Sequence, residues 1–356
     1  MGDRHRENGS ALRTGRRRKG EPDWAGLPDK ELLDLRLCDL GLRVEGTVLE
    51  QRVERLYEEL ASRDIRLRPH VWLGEEWFSP DGVPGIGIPF YLAHERLIRL
   101  EKKIMKVAEG ASQHECMKVL RHETGHAICA AFRLHYKPGW REMFGLHSDP
   151  YPEFYTPKPR SRNFVHHLGW WYAQAHPTED FAETFAVWLT PGSRWKQRYK
   201  GWKALRKLER VDELMQQLAG EVPPVRSRRL IDPLSQLPMT IREYYRRRRH
   251  KFGEDWPEFY DRDLRRIFSD DPKFADRPSA AQFLRRVRPT IRQRVARWTD
   301  EHPYTIDQVL RDMIDQCKEQ KLRLAIGERE ATIEAMLMVT VQTMNYLFGA
   351  HEGFAM

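Results

Sequence analysis

Arg121-His122-Glu123-Thr124-Gly125-His126-Ala127 contains the pattern H-E-x-x-H, inside a run, 113–134, whose apolar spacing predicts one buried helix. Positions i and i+4 of an α-helix lie about 40° apart around the axis, so His122 and His126 share a face. Two imidazoles on one face can chelate one Zn²⁺, and Glu123 between them can serve as general base toward a metal-activated water. Ser112, Gln113, His114 and Glu115 fit the S-x-x-E capping box, which sets where the helix starts. Gly125 costs about 1 kcal/mol of helix propensity relative to Ala. It implies either a close-packed neighbour or a backbone that must approach the metal.

A two-His site that keeps a position open for water needs a third protein ligand. The candidate lies in Tyr172-Ala173-Gln174-Ala175-His176-Pro177-Thr178-Glu179-Asp180-Phe181-Ala182-Glu183-Thr184. Pro177 suits the first turn of a helix, and Glu179 and Asp180 place carboxylates near its positive end. Glu179 and Glu183 are i and i+4, so both can face one point. We expect Glu179 to be the third ligand, completing a His₂Glu set. Glu183 is then expected to orient one ligand imidazole through its other N–H. The same spacing describes the wet face of an amphipathic helix. Phe181, Ala182, Phe185, Ala186 and Trp188, however, leave little of the circumference for solvent, and carboxylates in that setting want a cation.

With these residues in place, the chain resembles a bacterial family of zinc-binding metallopeptidases that carry an H-E-x-G-H helix and a later Y-A-x-x-H-P-x-E-D-x-A-E-T segment. The site logic is also similar to the catalytic domain of anthrax lethal factor and its relatives, which are zincins. There the metal-binding Glu opens an E-x-x-A-E helix, and a Tyr seven residues earlier helps stabilise the oxyanion. The resemblance implies His122, His126 and Glu179 as zinc ligands, Glu123 as base, Tyr172 as the oxyanion or proton-donor group, and Glu183 behind the ligands. Asp180 is a further candidate for that outer layer. The likeness covers roughly residues 30–190 and is strong at the two helices and weak between them. One departure is plain: the N-terminal Cys-rich zinc ribbon of some members is missing from this sequence.

The formal charge of +9 is regional: residues 1–20 and 241–252 each carry +5, which leaves the rest at −1. The catalytic segment is therefore not a polycation. Cys38, Cys116, Cys129 and Cys317 form no C-x-x-C pair, which suggests neither a zinc ribbon nor a disulfide framework. The N-terminus has no apolar stretch of the secretory type, and the longest apolar run, 335–350, is short for a membrane span. We expect a cytoplasmic protein that does not enter a membrane.

In chain order, 1–22 reads as a disordered basic tail, 23–219 as a zincin-like catalytic domain, 220–240 as a linker or extended wrap, and 241–356 as a helical C-terminal region. The expected class is α+β, with a small sheet and an active-site helix. Helical spacing covers 30–40 and 48–62, and strands are predicted over 65–73 and 83–92. The second of these precedes the metal helix, where zinc peptidases keep an edge strand for an extended substrate. The stretch 94–105 is ambiguous between strand and helix. A long Pro-, Tyr- and Arg-rich connection to about 163 reads as a substrate wall.

The expected activity is zinc-dependent hydrolysis of peptide bonds in a peptide or protein substrate. Two alternatives stand beside it: a degenerate zincin scaffold that binds nucleic acid or an acidic partner, and a zinc hydrolase of a non-peptide amide. The first would use Arg16-Arg17-Arg18-Lys19 and Arg246-Arg247-Arg248-Arg249-His250-Lys251, the latter beside Tyr244 and Tyr245.

Overall fold

The computed structural model describes residues 21–152, 154–155, 158, 161–169, 171–253, 261–349 and 354–355. The Arg16–Lys19 cluster lies outside these residues. The chain is mainly helical with a small amount of strand, as the α+β expectation requires.

After a short helix α1 (Asp29–Leu33), helix α2 (Val48–Ala61) starts at Thr47, whose hydroxyl accepts from Leu49 N at 3.2 Å. Leu49, Val53, Leu56 and Leu60 line its buried face at helical spacing. Strands β1 (His70–Gly74) and β2 (Gly85–Pro89) then pair in parallel, His70 opposite Gly85 and Gly74 opposite Pro89. Both are shorter than their sequence patterns.

Ile86 and Ile88 of β2 point into the core, while its glycines admit rings on the other face. A Cβ at Gly87 would lie 2.2 Å from the Phe78 ring. Phe78 also occupies the outer side of β2, with Gly87 N donating to Phe78 O at 2.8 Å. The expected edge strand over 83–92 is therefore closed at Gly87, because the 75–84 connection folds back against it.

The ambiguous stretch after it is helix α3 (Glu95–Met105), capped by His94 and buried through Leu97, Leu100 and Met105. Helix α4 (Gln113–Phe132) carries the H-E-x-x-H pattern. Its capping box is formed as expected: Ser112 Oγ accepts from Glu115 N at 3.1 Å. Arg121 of α4 makes two 2.7 Å bonds to Glu59 of α2, both side chains being buried.

Helix α5 (Trp140–Phe144) ends at Gly145, whose φ of +112° and closeness to Pro177 leave no room for a side chain. Trp140 and Phe144 pack on Phe181 of helix α6 (Pro177–Leu189), at centroid distances of 4.4 and 5.4 Å. The stretch 195–218 forms two helices, α7 (Trp195–Arg198) and α8 (Ala204–Leu218), separated by Gly201 at φ +80°.

Of the two readings of 220–240, the extended wrap holds. Val225 N donates to Ala131 O, Trp72 Nε1 donates to Ile231 O, and Cys38 N donates to Leu237 O, at 2.9–3.1 Å. Helix α9 (Ile241–Gly253) continues on this body: Ile241, Tyr244 and Tyr245 belong to the first apolar cluster. The sequence-based boundary at 240/241 thus falls inside the first core.

A second cluster gathers residues of helices α10 (Asp261–Ile267), α11 (Ala280–Thr299), α12 (Pro303–Glu319) and α13 (Glu328–Gly349). Ser279 stands at the α11 N-cap position, and its side chain makes no capping bond. Among the described residues, no helix is long and apolar enough to cross a membrane.

Candidate metal centre

Helices α4 and α6 cross in backbone contact, and the site lies where they meet. A Cβ at Gly125 would come within 2.7 Å of the Ala182 Cα. Close packing, rather than an approach to a metal, is therefore what keeps residue 125 a glycine.

This contact brings the side chains one turn along each helix together. His122 Nε2 and His126 Nε2 lie 3.0 and 3.2 Å from Glu179 Oε2, and 3.2 Å from one another. These three groups could hold a metal ion. A tetrahedral zinc with bonds of about 2.0–2.1 Å places neighbouring donors roughly 3.3 Å apart, so the donor set fits. Its chemistry fits too, since two imidazole nitrogens facing each other and a buried carboxylate require a proton or a cation between them.

The outer layer is asymmetric. Glu183 is 1% exposed and accepts from His122 Nδ1 at 3.0 Å through one oxygen and from Leu168 N at 2.9 Å through the other. The contact with the His122 imidazole is the one expected of it. Burial alone would lower the His122 pKa; hydrogen bonds and charge from Glu179 and Glu183 outweigh it and hold the imidazole well above its ordinary value. A cation between the same carboxylates would take the place of that proton. Glu179 is driven the other way: burial favours its neutral form, but His126 and His122 keep it well below the carboxylate range.

Glu123, the next residue on α4, is buried. Burial pushes its carboxyl up, and the neighbouring His122 and His126 pull it partly back. Ser79 Oγ donates to the Glu123 carbonyl at 3.0 Å, tying the turn after Phe78 to the helix. Tyr172 opens a short 3₁₀ turn, Tyr172–Gln174, with its ring 5.7 Å from that of His122. Burial, then the charges of Glu179 and Glu123, push its phenol far up, so it stays protonated at neutral pH.

Asp180 does not join this layer. It turns to α8, where Lys207 Nζ meets it at 2.5 Å; its other oxygen, Oδ1, is buried with no hydrogen-bond partner among the described residues. One residue on from Glu179, it points about 100° away around α6, and so anchors the helix from behind. His176 caps α6, accepting from Thr178 N, and His167 Nε2 donates to Lys118 O at 2.9 Å.

Two contributors were not singled out in the sequence. Ser79 lies in the irregular stretch just before the Asp81–Gly82 turn and carries no spacing signal. Tyr151 donates to Glu179 Oε1 at 2.8 Å. Its one local sign is the Pro150-Tyr151-Pro152 setting, which restricts the backbone on both sides.

Two arginines of the second basic cluster are engaged by acidic residues. Arg247 and Arg248 pair with Glu75 and Glu101 at 2.5 Å, while Tyr244 and Tyr245 are 2% and 0% exposed. Buried rings cannot stack on bases, which removes the aromatic half of that reading. Compared with protein-family models, curated proteins and solved structures, the chain finds no match.

Proposed function

We propose that this chain is a zincin-type, zinc-dependent metallopeptidase acting on peptide bonds. The observation that carries the reading is the convergence of His122 Nε2, His126 Nε2 and Glu179 Oε2 within 3.0–3.2 Å of one another, with Glu123 buried beside them.

Zinc, when bound, supplies positive charge that polarises a carbonyl and acidifies water in contact with it. The chain's own groups divide the remaining work. Glu183 holds the Nδ1 proton of His122 and so leaves Nε2 as the free donor atom. Glu123 takes a proton from the attacking water and returns it to the leaving amine, a cycle suited to a carboxyl whose pKa burial has raised. Tyr172, kept protonated, donates a hydrogen bond to the oxyanion. All four cysteines are free thiols, which fits a reducing compartment such as the cytoplasm.

The test is elemental analysis of wild type, His126→Ala and Glu123→Gln, followed by a peptide-library cleavage screen read by mass spectrometry. We expect about one zinc per wild-type chain, little in the His variant, zinc retained in the Glu variant, and cleavage only by wild type. Folded wild-type protein that takes up no zinc would overturn the reading. Zinc uptake with hydrolysis of small amides but of no peptide would transfer it to the non-peptide alternative.

A further inference from the structure

Tyr151 stands at the start of the long connection between α5 and α6, between two prolines, with half of its side chain facing solvent (51%). Its ring stacks on His176, centroids 3.9 Å apart and planes 17° from parallel. Its hydroxyl reaches Glu179 Oε1 at 2.8 Å and also meets Thr178 Oγ1. His176 is in turn fixed at both nitrogens: Nδ1 accepts from Thr178 N at 3.2 Å, and Nε2 donates to Asp149 O at 2.8 Å. His176 Nδ1 also lies 2.7 Å from Thr178 Oγ1, so the single Thr178 hydroxyl proton has two neighbours, Nδ1 and the Tyr151 oxygen. The Tyr151 proton serves Glu179, whose carboxylate can only accept.

From this network we infer that Tyr151 is a positioning residue for the third metal ligand, Glu179. The inference rests on the metal-site reading above and deepens it. A glutamate carboxylate, free to turn about its last side-chain torsion, can present either oxygen, or both, to an ion. Holding Oε1 on a phenol leaves Oε2 as the atom aimed at His122 and His126. His122 has the same kind of support from Glu183, on the opposite side of the site. The N-cap of α6, the stacked ring and the ligand therefore form one unit, which converts the folded start of the connection into a fixed ligand geometry.

Tyr151→Phe tests the hydrogen bond alone, since the ring stack and the proline setting remain and a half-exposed position opens no cavity. Zinc affinity is measured by competition with a chromogenic chelator, alongside the visible spectrum of the cobalt(II)-loaded protein and the thermal unfolding of metal-free protein. We expect roughly 10- to 100-fold weaker zinc binding and a changed cobalt spectrum, with the unfolding temperature of metal-free protein unchanged. The same affinity and the same cobalt spectrum as wild type would overturn the role of Tyr151 and leave the metal site standing. Wild-type protein that binds neither metal would remove the site itself, and Tyr151's role with it.

Discussion

Gly125 and Ala182 touch backbone to backbone where α4 crosses α6, and this contact sets the distance between His126 and Glu179. Gly125→Ala illustrates the consequence. Alanine favours an isolated helix by about 1 kcal/mol, yet its Cβ meets the Ala182 backbone, which cannot move aside as a flexible side chain would. We expect a lower unfolding temperature together with weaker zinc binding, because separating the helices separates the ligands. A more stable protein with unchanged affinity would show that the crossing yields without cost.

Glu183→Gln tests the support behind His122. Both Glu183 oxygens accept, one from an imidazole and one from Leu168 N. Glutamine offers one acceptor and one donor, so one buried N–H loses its partner at a cost of about 1–3 kcal/mol. Zinc affinity should fall roughly 10- to 100-fold, measured by chelator competition.

Tyr172→Phe separates chemistry from metal binding. Its hydroxyl has no place in the ligand set, so zinc content should stay at the wild-type level. Loss of one oxyanion donor should lower kcat by roughly 10²- to 10³-fold with little change in KM. Unchanged kcat on the best peptide of the screen would return Tyr172 to a packing role.

Asp180, one residue on from Glu179 but turned to Lys207, supplies a pH test. Burial, partly offset by Lys207, pushes its carboxyl up to about 7. Between about pH 4, where the unfolded chain loses this proton, and about 7, the native state still holds it. The group therefore stabilises the fold in acid, and that contribution is lost as pH rises through the window. Urea unfolding of wild type and Asp180→Asn from pH 4 to 8 should show the difference, wild type minus variant, falling up to about pH 7 and flat above it. A constant difference would mean that Asp180 is ionised throughout beside Lys207.

Arg121 and Glu59 form the buried ion pair that fixes α4 on α2. Arg121→Met leaves Glu59 buried with only the more distant Arg55, 3.4 Å away, and should cost about 3–5 kcal/mol in chemical denaturation. The double variant Arg121→Met with Glu59→Leu should recover much of that loss, since no charge is then stranded.

What the sequence by itself determined is local and periodic. The capping box at Ser112, the shared face of His122 and His126, the opening of α6 at Pro177 and the four-residue spacing of Glu179 and Glu183 all follow from 3.6 residues per turn. These features set which side chains can act together on one helix. The relation between helices is a different matter. Glu179 and Asp180 are adjacent carboxylates with the same local propensity, and only the packing of α8 against α6 sends one to the histidines and the other to Lys207. The edge predicted over 83–92 is closed by Phe78, and Arg247 and Arg248 of α9 are paired by Glu75, just after β1, and by Glu101 of α3, both far away in sequence. Tyr151 reaches Glu179 across 28 residues. Such contacts depend on which surfaces exclude water together once the whole chain has collapsed, and no local window of sequence holds that information.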